Sequence, residues 1–235
     1  EVRKGKALIG TDQWKREKAR QMLQALALNR TKGISKDQLS LYFWPDSDES
    51  TANNNFKVTL SALNQALEPD RPSRESPVFV IRNGDQYQLN ADIKIYVDFE
   101  EFEKLALSSN LKDRQTALDL YKGRLLEGEA LQEFFMPEVQ YFHRLYLDCI
   151  GKVIETAIQL KDYDQGLELS NRLVRQEPLL ASGYQCQMRI YHYMGNDTML
   201  RKVYQQAVDV YQKEYGPGYE PEELIALYQE LLAHG

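Results

Sequence analysis

The sequence predicts a mainly α-helical fold with a small β component, arranged as a mixed front half and an all-α back half. In the front half, helical patterns are followed by two short alternating segments that flank Asn83-Gly84. In the back half, apolar residues recur at helical spacing, and the short connections favour antiparallel helix pairs. The chain has 235 residues, 43% hydrophobic and 27% charged, which is ordinary globular composition.

The first helix of the front half is expected from Lys15, in the run KREKARQMLQALALN. One face of this helix is apolar and consists of Ala19, Met22, Leu23, Leu26 and Ala27. Gly33 closes the loop after it. Upstream, EVRKGKALIG indicates the middle of a hairpin with Lys4-Gly5 at its turn, so we expect a truncated leading strand and a natural chain that extends upstream.

The second helix is predicted in ISKDQLSLYFW. Ser35 and Gln38 have the spacing of a capping box, in which each side chain bonds the backbone of the other residue. Pro45 disfavours helical backbone at the residue before it. We therefore expect this helix to end at about Trp44, before a polar turn over residues 45–50.

The third helix is predicted over residues 51–67, in TANNNFKVTLSALNQAL. One apolar stripe follows the helical repeat and contains Ala52, Phe56, Leu60, Leu63 and Leu67. The opposite face carries mostly uncharged hydrogen-bonding side chains: Asn54, Asn55, Lys57, Val58 and Ser61. Their lengths allow contact with base edges in a major groove, and Val58 could touch a thymine methyl.

A hairpin is predicted after a proline-rich polar loop over residues 68–77. VFVIRNGDQYQL alternates on both sides of Asn83-Gly84, which is a strong hairpin signal. Two helices joined by a tight turn and followed by a hairpin have the layout of a winged helix-turn-helix. We assign this fold to residues 1–97, with the first strand truncated and the hairpin as the wing.

The back half, residues 98–235, is predicted to be an all-α bundle that begins with a helix capped by Asp98. Further helices are expected over residues 114–121, 137–160, 164–176, 180–194, 198–215 and 221–232. YDQGL, from Tyr163, and NDTML, from Asn196, begin equivalent helices 33 residues apart, close to the length of a tetratricopeptide repeat. The repeat is degenerate, because its early small residue is Gly166 in one copy and Met199 in the other.

Charge is divided between the halves. Residues 1–97 contain 15 basic and 12 acidic residues, a net charge of +3, whereas residues 98–235 contain 14 and 23, a net charge of −9. A basic front and an acidic back suit a nucleic-acid module attached to a protein-binding module.

Several function classes find no support in the sequence. Cys149 and Cys186 lie in helical apolar patterns, so we expect buried thiols and neither a disulfide framework nor a zinc site. His143, His192 and His234 are isolated, and no catalytic or phosphate-loop motif is present. We predict no enzyme activity, metal or cofactor. The sequence has neither a run of membrane-span length nor a signal peptide, so a cytoplasmic protein is expected.

Nearly the whole chain resembles the bacterial transcriptional activator domain family, in which an OmpR-type winged helix is fused to a tetratricopeptide-like helical domain, as in antibiotic regulatory activators and some MalT-like regulators. The resemblance is carried, in the family's order, by WKREKARQMLQALAL, ISKDQLSLYFWPD, STANNNFKVTLSALNQALEP, VDFEEFEKL, ALDLYKGRLLEGE, RLYLDCIGKVIETAIQLKDYDQGLEL and YQKEYGPGYEPEELIALYQELL.

The resemblance implies that the helix over 51–67 lies in the major groove. Its base-edge or nearby backbone contacts would be Asn54, Asn55, Lys57, Val58 and Ser61. Thr59 would reach a phosphate, Ser35, Lys36 and Trp44 would lie near the DNA backbone, and Arg82 would place the wing at the minor groove.

One departure from the family concerns charge. Where relatives commonly carry arginine in this helix, the chain has Asn54 and Asn64, and Lys57 is the only cation of residues 51–67. The resemblance therefore implies weak affinity for a single site. Binding would rely on paired subunits, a homodimer on repeated half-sites.

The function implied is that of a DNA-binding transcriptional activator, here a regulatory fragment of a larger protein. Its partners would be double-stranded DNA, RNA polymerase, and regulatory domains of the same or a partner chain, and it would not bind membranes. A helical protein-interaction adaptor, whose winged helix docks protein rather than DNA, is the main alternative. A regulatory subunit that binds a small ligand between helix pairs is a third.

Several of these residues also have a purely structural interpretation, in which they make no contact with DNA. Trp44 could plug the core beneath the wing as well as contact phosphate. The run from Asn53 to Asn55 could be a solvated helix start. Four cations of the first helix could form either a solvated face or a phosphate contact: Lys15, Arg16, Lys18 and Arg20.

Overall fold

A computed structural model of the chain describes residues 2–72 and 74–233. The predicted isolation of His234 concerns a residue outside these ranges. The fold is mainly helical, as the sequence predicts, with ten α-helices and five short strands over the described residues. None of these helices combines the length and the apolar character that a membrane span needs.

Two compact units divide the chain. The first contains the residues up to Val97 together with Leu125–Val139, and the second contains Asp98–Arg124 and the residues from Gln140 onward. The segment Leu125–Val139 thus lies in the first unit, although it follows two helices of the second.

The first unit contains the strands and three of the helices. Their bounds are β1 (Arg3–Lys4), β2 (Ala7–Leu8), α1 (Glu17–Leu28), β3 (Ile34–Ser35), α2 (Lys36–Phe43), α3 (Glu49–Leu67), β4 (Val80–Asn83) and β5 (Gln86–Leu89). Strands β1 and β2 form the predicted N-terminal hairpin, and Gly5 lies between them at φ +60°.

Helices α2 and α3 are capped by side chains at their starts. The capping box of α2 is confirmed: Ser35 Oγ accepts a hydrogen bond from the Gln38 N–H, and Gln38 Oε1 accepts one from the Ser35 N–H, each at 3.1 Å. Helix α3 begins two residues before the predicted start, because Asp48 Oδ1 accepts a hydrogen bond from the Thr51 N–H at 2.9 Å.

The β4–β5 hairpin is confirmed, with Gly84 at φ +60° in its turn. A third strand, β3, pairs antiparallel with β5 and was not predicted, because two residues are too few to show alternation. Gly33 precedes β3 at φ +70°, and a Cβ there would lie 3.0 Å from Gln86 Cβ. The positive φ and the close approach of the Gly33 backbone to β5 therefore require glycine at this position.

The core of the first unit joins all three helices to the sheet. Its buried members include Ala19, Met22, Leu26, Leu39, Phe43, Phe56, Leu63, Leu67, Val80 and Leu89. The predicted apolar faces of the helices are thus turned to the core, with Leu23, Ala27 and Leu60 only half-buried.

The second unit is all-helical. Its helices are α4 (Asp98–Ala106), α5 (Leu111–Leu120), α6 (Met136–Gln159, whose first turn lies in the first unit), α7 (Tyr163–Gln176), α8 (Ala181–Tyr193), α9 (Asp197–Tyr215) and α10 (Glu222–Ala233). Helix α8 packs against α7, α9 and α10. The N-caps of α7 and α9, Asp162 and Asn196, are 34 residues apart, as in a tetratricopeptide-like repeat.

Both cysteines are buried, as predicted. Burial raises the pKa of the Cys149 thiol and of the Cys186 thiol to about 11. Both therefore stay protonated at neutral pH and act as small apolar side chains.

Close packing between α7 and α8 depends on glycine. A Cβ on Gly183 would lie 2.8 Å from Val174 Cγ2 and 3.4 Å from the Val174 backbone nitrogen, whereas a Cβ on Gly151 of α6 would meet no atom within 4 Å. We expect Gly183→Ala to lower the free energy of unfolding by about 1–3 kcal/mol. We expect the matched change Gly151→Ala to raise it by about 0.5–1 kcal/mol, since alanine favours a helix interior.

Urea unfolding followed by circular dichroism measures both changes. Opposite signs are expected for the two variants. A stabilising effect of Gly183→Ala would mean that α7 and α8 are not in close contact at this point.

Candidate nucleic-acid interface

One face of α3 brings four of the predicted site residues together at the surface. Asn54, Lys57, Val58 and Ser61 are all exposed and follow the i, i+3, i+4, i+7 spacing of one helix face. Asn55 is half-buried. This face presents an amide, an ammonium, a branched apolar group and a hydroxyl side by side.

Thr59 lies on the opposite side of α3 and is only 2% exposed. It follows Phe56 by three residues and precedes Leu63 by four, so it shares the buried face of the helix. The prediction that Thr59 reaches a phosphate is therefore wrong, because its hydroxyl is packed inside the first unit.

Lys36, in the first turn of α2, is tied to α3. Its Nζ donates a hydrogen bond to Asn53 Oδ1 at 3.2 Å. Asn53, which the sequence suggested only as part of a solvated helix start, thus orients a cation next to the exposed face. Lys36 and Asn53 line a surface hollow together with Asp37 and Glu49, whose carboxylates weaken the local positive potential.

Ser35 and Trp44 lie at opposite ends of α2. Ser35 is half-buried and its hydroxyl oxygen already accepts the capping hydrogen bond, so the anion-binding character of this helix start belongs mainly to its backbone N–H groups. Trp44 is half-buried against the core, with its ring centroid 5.7 Å from that of Phe43. The ring of Trp44 thus packs on the core of the first unit while part of the side chain stays accessible.

The basic cluster of α1 is largely engaged within the unit. Lys18 Nζ donates a hydrogen bond to the Phe43 carbonyl and lies 5.3 Å from the Trp44 ring centroid. Burial lowers the pKa of Lys18. Lys15 Nζ donates a hydrogen bond to Gln65 Oε1 at 3.0 Å. These contacts favour structural roles for Lys15 and Lys18.

Arg82 projects from the β4–β5 hairpin and is exposed. Its Nε donates a hydrogen bond to the Gly84 carbonyl at 2.8 Å, and its guanidinium lies 5.9 Å from the Tyr87 ring centroid. Asp85 Oδ1 lies 3.7 Å from Arg82 Nη2. The hairpin thus holds the guanidinium in place and offsets part of its charge.

A metal site would need clustered metal-ligating side chains among the described residues. Residues 2–72 and 74–233 contain no group of three or more histidine, cysteine, aspartate or glutamate side chains placed to hold a metal ion.

Comparisons with known proteins bear on both units. A family model described as the bacterial transcriptional activator domain matches residues 97–232. No curated protein matches the chain. A solved structure, Mycobacterium tuberculosis EmbR in complex with a low-affinity phosphopeptide, is similar in fold, with a TM-score of 0.72 at 17% sequence identity. The match covers 97% of this chain and 61% of the EmbR chain, so this chain spans less than two thirds of that protein's length.

Proposed function

Since the chain belongs to the bacterial transcriptional activator domain family, we propose that it is the DNA-binding and regulatory part of a transcriptional activator. The first unit is then a winged helix-turn-helix with α3 in the major groove. The observation that carries the proposal is the exposed face of α3, formed by Asn54, Lys57, Val58 and Ser61.

Each side chain of this face has a partner in the major groove. An asparagine amide can bond the N6 and N7 atoms of adenine, a lysine ammonium can donate to guanine O6 or N7, and a valine methyl can pack on the thymine methyl. The serine hydroxyl can serve as donor or acceptor. Asn55 would contact the groove wall from its half-buried position.

The DNA backbone would be held at two other places. Lys36 and the N-terminus of α2 would bind phosphate beside α3, with Trp44 at the other end of α2. Arg82 on the hairpin would reach the adjacent minor groove as the wing. Because Lys57 is the only cation on α3, we expect weak binding to one half-site and a gain from paired subunits.

The helical unit would supply self-association or contacts with RNA polymerase and with regulatory domains of the same or a partner chain. A regulator of this kind acts on promoters, in the cytoplasm, and needs no catalytic activity. The acidic character of residues 98–235 fits a protein-binding rather than a DNA-binding role.

Salt-dependent binding to random duplex DNA tests the proposal. We expect the logarithm of the association constant to fall linearly with the logarithm of salt concentration, with a slope of roughly −3 for Lys36, Lys57 and Arg82 together. Fluorescence anisotropy of a labelled duplex over a salt series measures the slope. An absence of binding, or binding without salt dependence, would instead favour an adaptor whose first unit docks protein.

A further inference from the structure

A segment between α5 and α6 completes the core of the first unit. The chain leaves the second unit after Arg124, passes through Leu125–Val139 in the first unit, and rejoins the second unit at Gln140. Its centre is a 3-10 helix, Ala130–Phe135. We refer to Leu125–Val139 as the strap.

Apolar contacts seat the strap on α1 and α2. Leu131 and Phe135 are 2% and 4% exposed and belong to the same hydrophobic cluster as the buried residues of these helices. The ring centroid of Tyr42, on α2, lies 4.5 Å from that of Phe134 and 5.6 Å from that of Phe135. The first unit therefore takes part of its core from sequence that lies far from the rest of it.

Polar contacts fix the strap to α1. Glu129 forms an ion pair with Arg20, and its Oε2 accepts a hydrogen bond from Gln21 Nε2 at 3.2 Å. The hydrogen bond from Arg20 lowers the pKa of Glu129 below its ordinary value. This contact therefore stabilises the fold above the ordinary carboxyl pKa and is lost as the pH falls through the lowered one.

The backbone at the start of the strap is strained. Leu126 has φ +55°, a left-handed conformation that residues with a Cβ rarely adopt, and Gly128 follows at φ +77°. The Leu126 side chain packs against the core of the first unit. Tertiary contacts rather than local preference thus hold the strap, so it is poised to relax when they are lost.

We propose that the strap is a regulatory device, which keeps α1 and α2 ordered while seated and loosens them when released. Both ends of the strap continue into the second unit, so an event there that changes the α5–α6 connection acts on the first unit through the chain itself. The stabilising effect stands independently of DNA. Its consequence, weaker DNA binding on release, rests on the proposed function because α2 and α3 carry the interface.

A pair of matched leucine variants of the full chain tests the proposal. Leu131, in the strap, and Leu173, on α7, are both 2% exposed. We expect Leu131→Ala to raise amide hydrogen exchange in α1 and α2 at least about 10-fold, with α7 and α8 unchanged. We expect Leu173→Ala to raise exchange in α7 and α8 and to leave exchange in α1 and α2 unchanged.

Tryptophan fluorescence gives a second readout, because both tryptophans, Trp14 and Trp44, lie in the first unit. Leu131→Ala should lower the melting temperature seen by fluorescence by about 10 °C or more. Unchanged exchange in α1 and α2, or an equal rise in α7 and α8, would overturn the proposal.

Glu129→Gln provides a milder variant in case Leu131→Ala fails to fold. It preserves the shape of the side chain but removes the charge that pairs with Arg20. The charged groups that the structure places at Glu129 are Arg20 and, through Arg20, Glu17, both on α1. We expect exchange in α1 to rise about 3-fold, as for loss of a partly buried ion pair. We also expect the acid destabilisation of the first unit below the ordinary carboxyl pKa to become weaker, because the lowered pKa of Glu129 no longer contributes. Exchange equal to that of the unaltered chain would overturn the proposal.

DNA binding by the same variants separates the two proposals. Faster amide hydrogen exchange in α1 and α2 together with weaker DNA binding in Leu131→Ala would support both the role of the strap and the proposed function. If the unaltered chain binds no duplex DNA, the proposed function fails, while the exchange measurements still decide the role of the strap.

Discussion

Replacement of Lys57 by glutamate is expected to lower the affinity for duplex DNA about 100-fold at about 0.1 M salt. Loss of one cation from the face that meets the DNA removes roughly 10-fold through lost counterion release, and the new carboxylate adds repulsion of similar size. The effect should be large because Lys57 is the only cation of α3. Fluorescence anisotropy over a salt series measures it, and the log–log slope should become shallower by about 1–2.

Lys202→Glu is the matched control. Lys202 is also an exposed helical lysine, on α9 of the second unit, and its replacement changes the net charge by the same amount. We expect its effect on DNA affinity to be less than about 3-fold, because Lys202 lies on none of the elements that form the proposed interface. Equal losses in the two variants would show that net charge, rather than the α3 face, governs binding.

Helix positions were predictable because their signals are local. The bonded pair Ser35 and Gln38 marks the start of α2, and apolar spacing locates the buried face of α3. Asp48, as a cap, explains why α3 begins before the predicted start. Side-chain caps and periodicity depend on residues within one or two turns, so a sequence displays them directly.

The candidate site was predictable only in part. Helical spacing identified the exposed residues of α3, and the same spacing could have excluded Thr59, which lies between Phe56 and Leu63 on the buried face. The bond between Lys36 and Asn53 depends on how α2 packs on α3. No pattern within either helix shows such a contact between helices.

The strap was not predictable for the same physical reason. Leu131 and Phe135 enter a core whose other members precede them by about 40 residues or more along the chain. A short apolar run between two helices indicates that its side chains are buried. It does not indicate which of the two units they pack against. Strand β3 was missed because its two residues form a strand only through pairing with β5.

Phe56→Ala is expected to lower the free energy of unfolding of the first unit by about 3–5 kcal/mol, a large fraction of the stability of a small domain. Phe56 is 2% exposed and connects α3 to the sheet, with its ring centroid 5.0 Å from that of Tyr87 in an edge-to-face arrangement. Truncation to alanine removes this contact and leaves a cavity at the junction. Urea unfolding followed by the fluorescence of Trp14 and Trp44 reports the loss.

Val58→Ala, on the exposed face of the same helix, is the paired control and should change the free energy of unfolding by less than about 0.5 kcal/mol. Phe56 is buried and Val58 is exposed because of the way α3 is oriented about its own axis. The two variants together therefore test that orientation. A small loss for Phe56→Ala with a large one for Val58→Ala would mean that α3 is turned the other way. Lys57 would then point away from any groove that receives α3, and the DNA-binding proposal would fail on stability data alone.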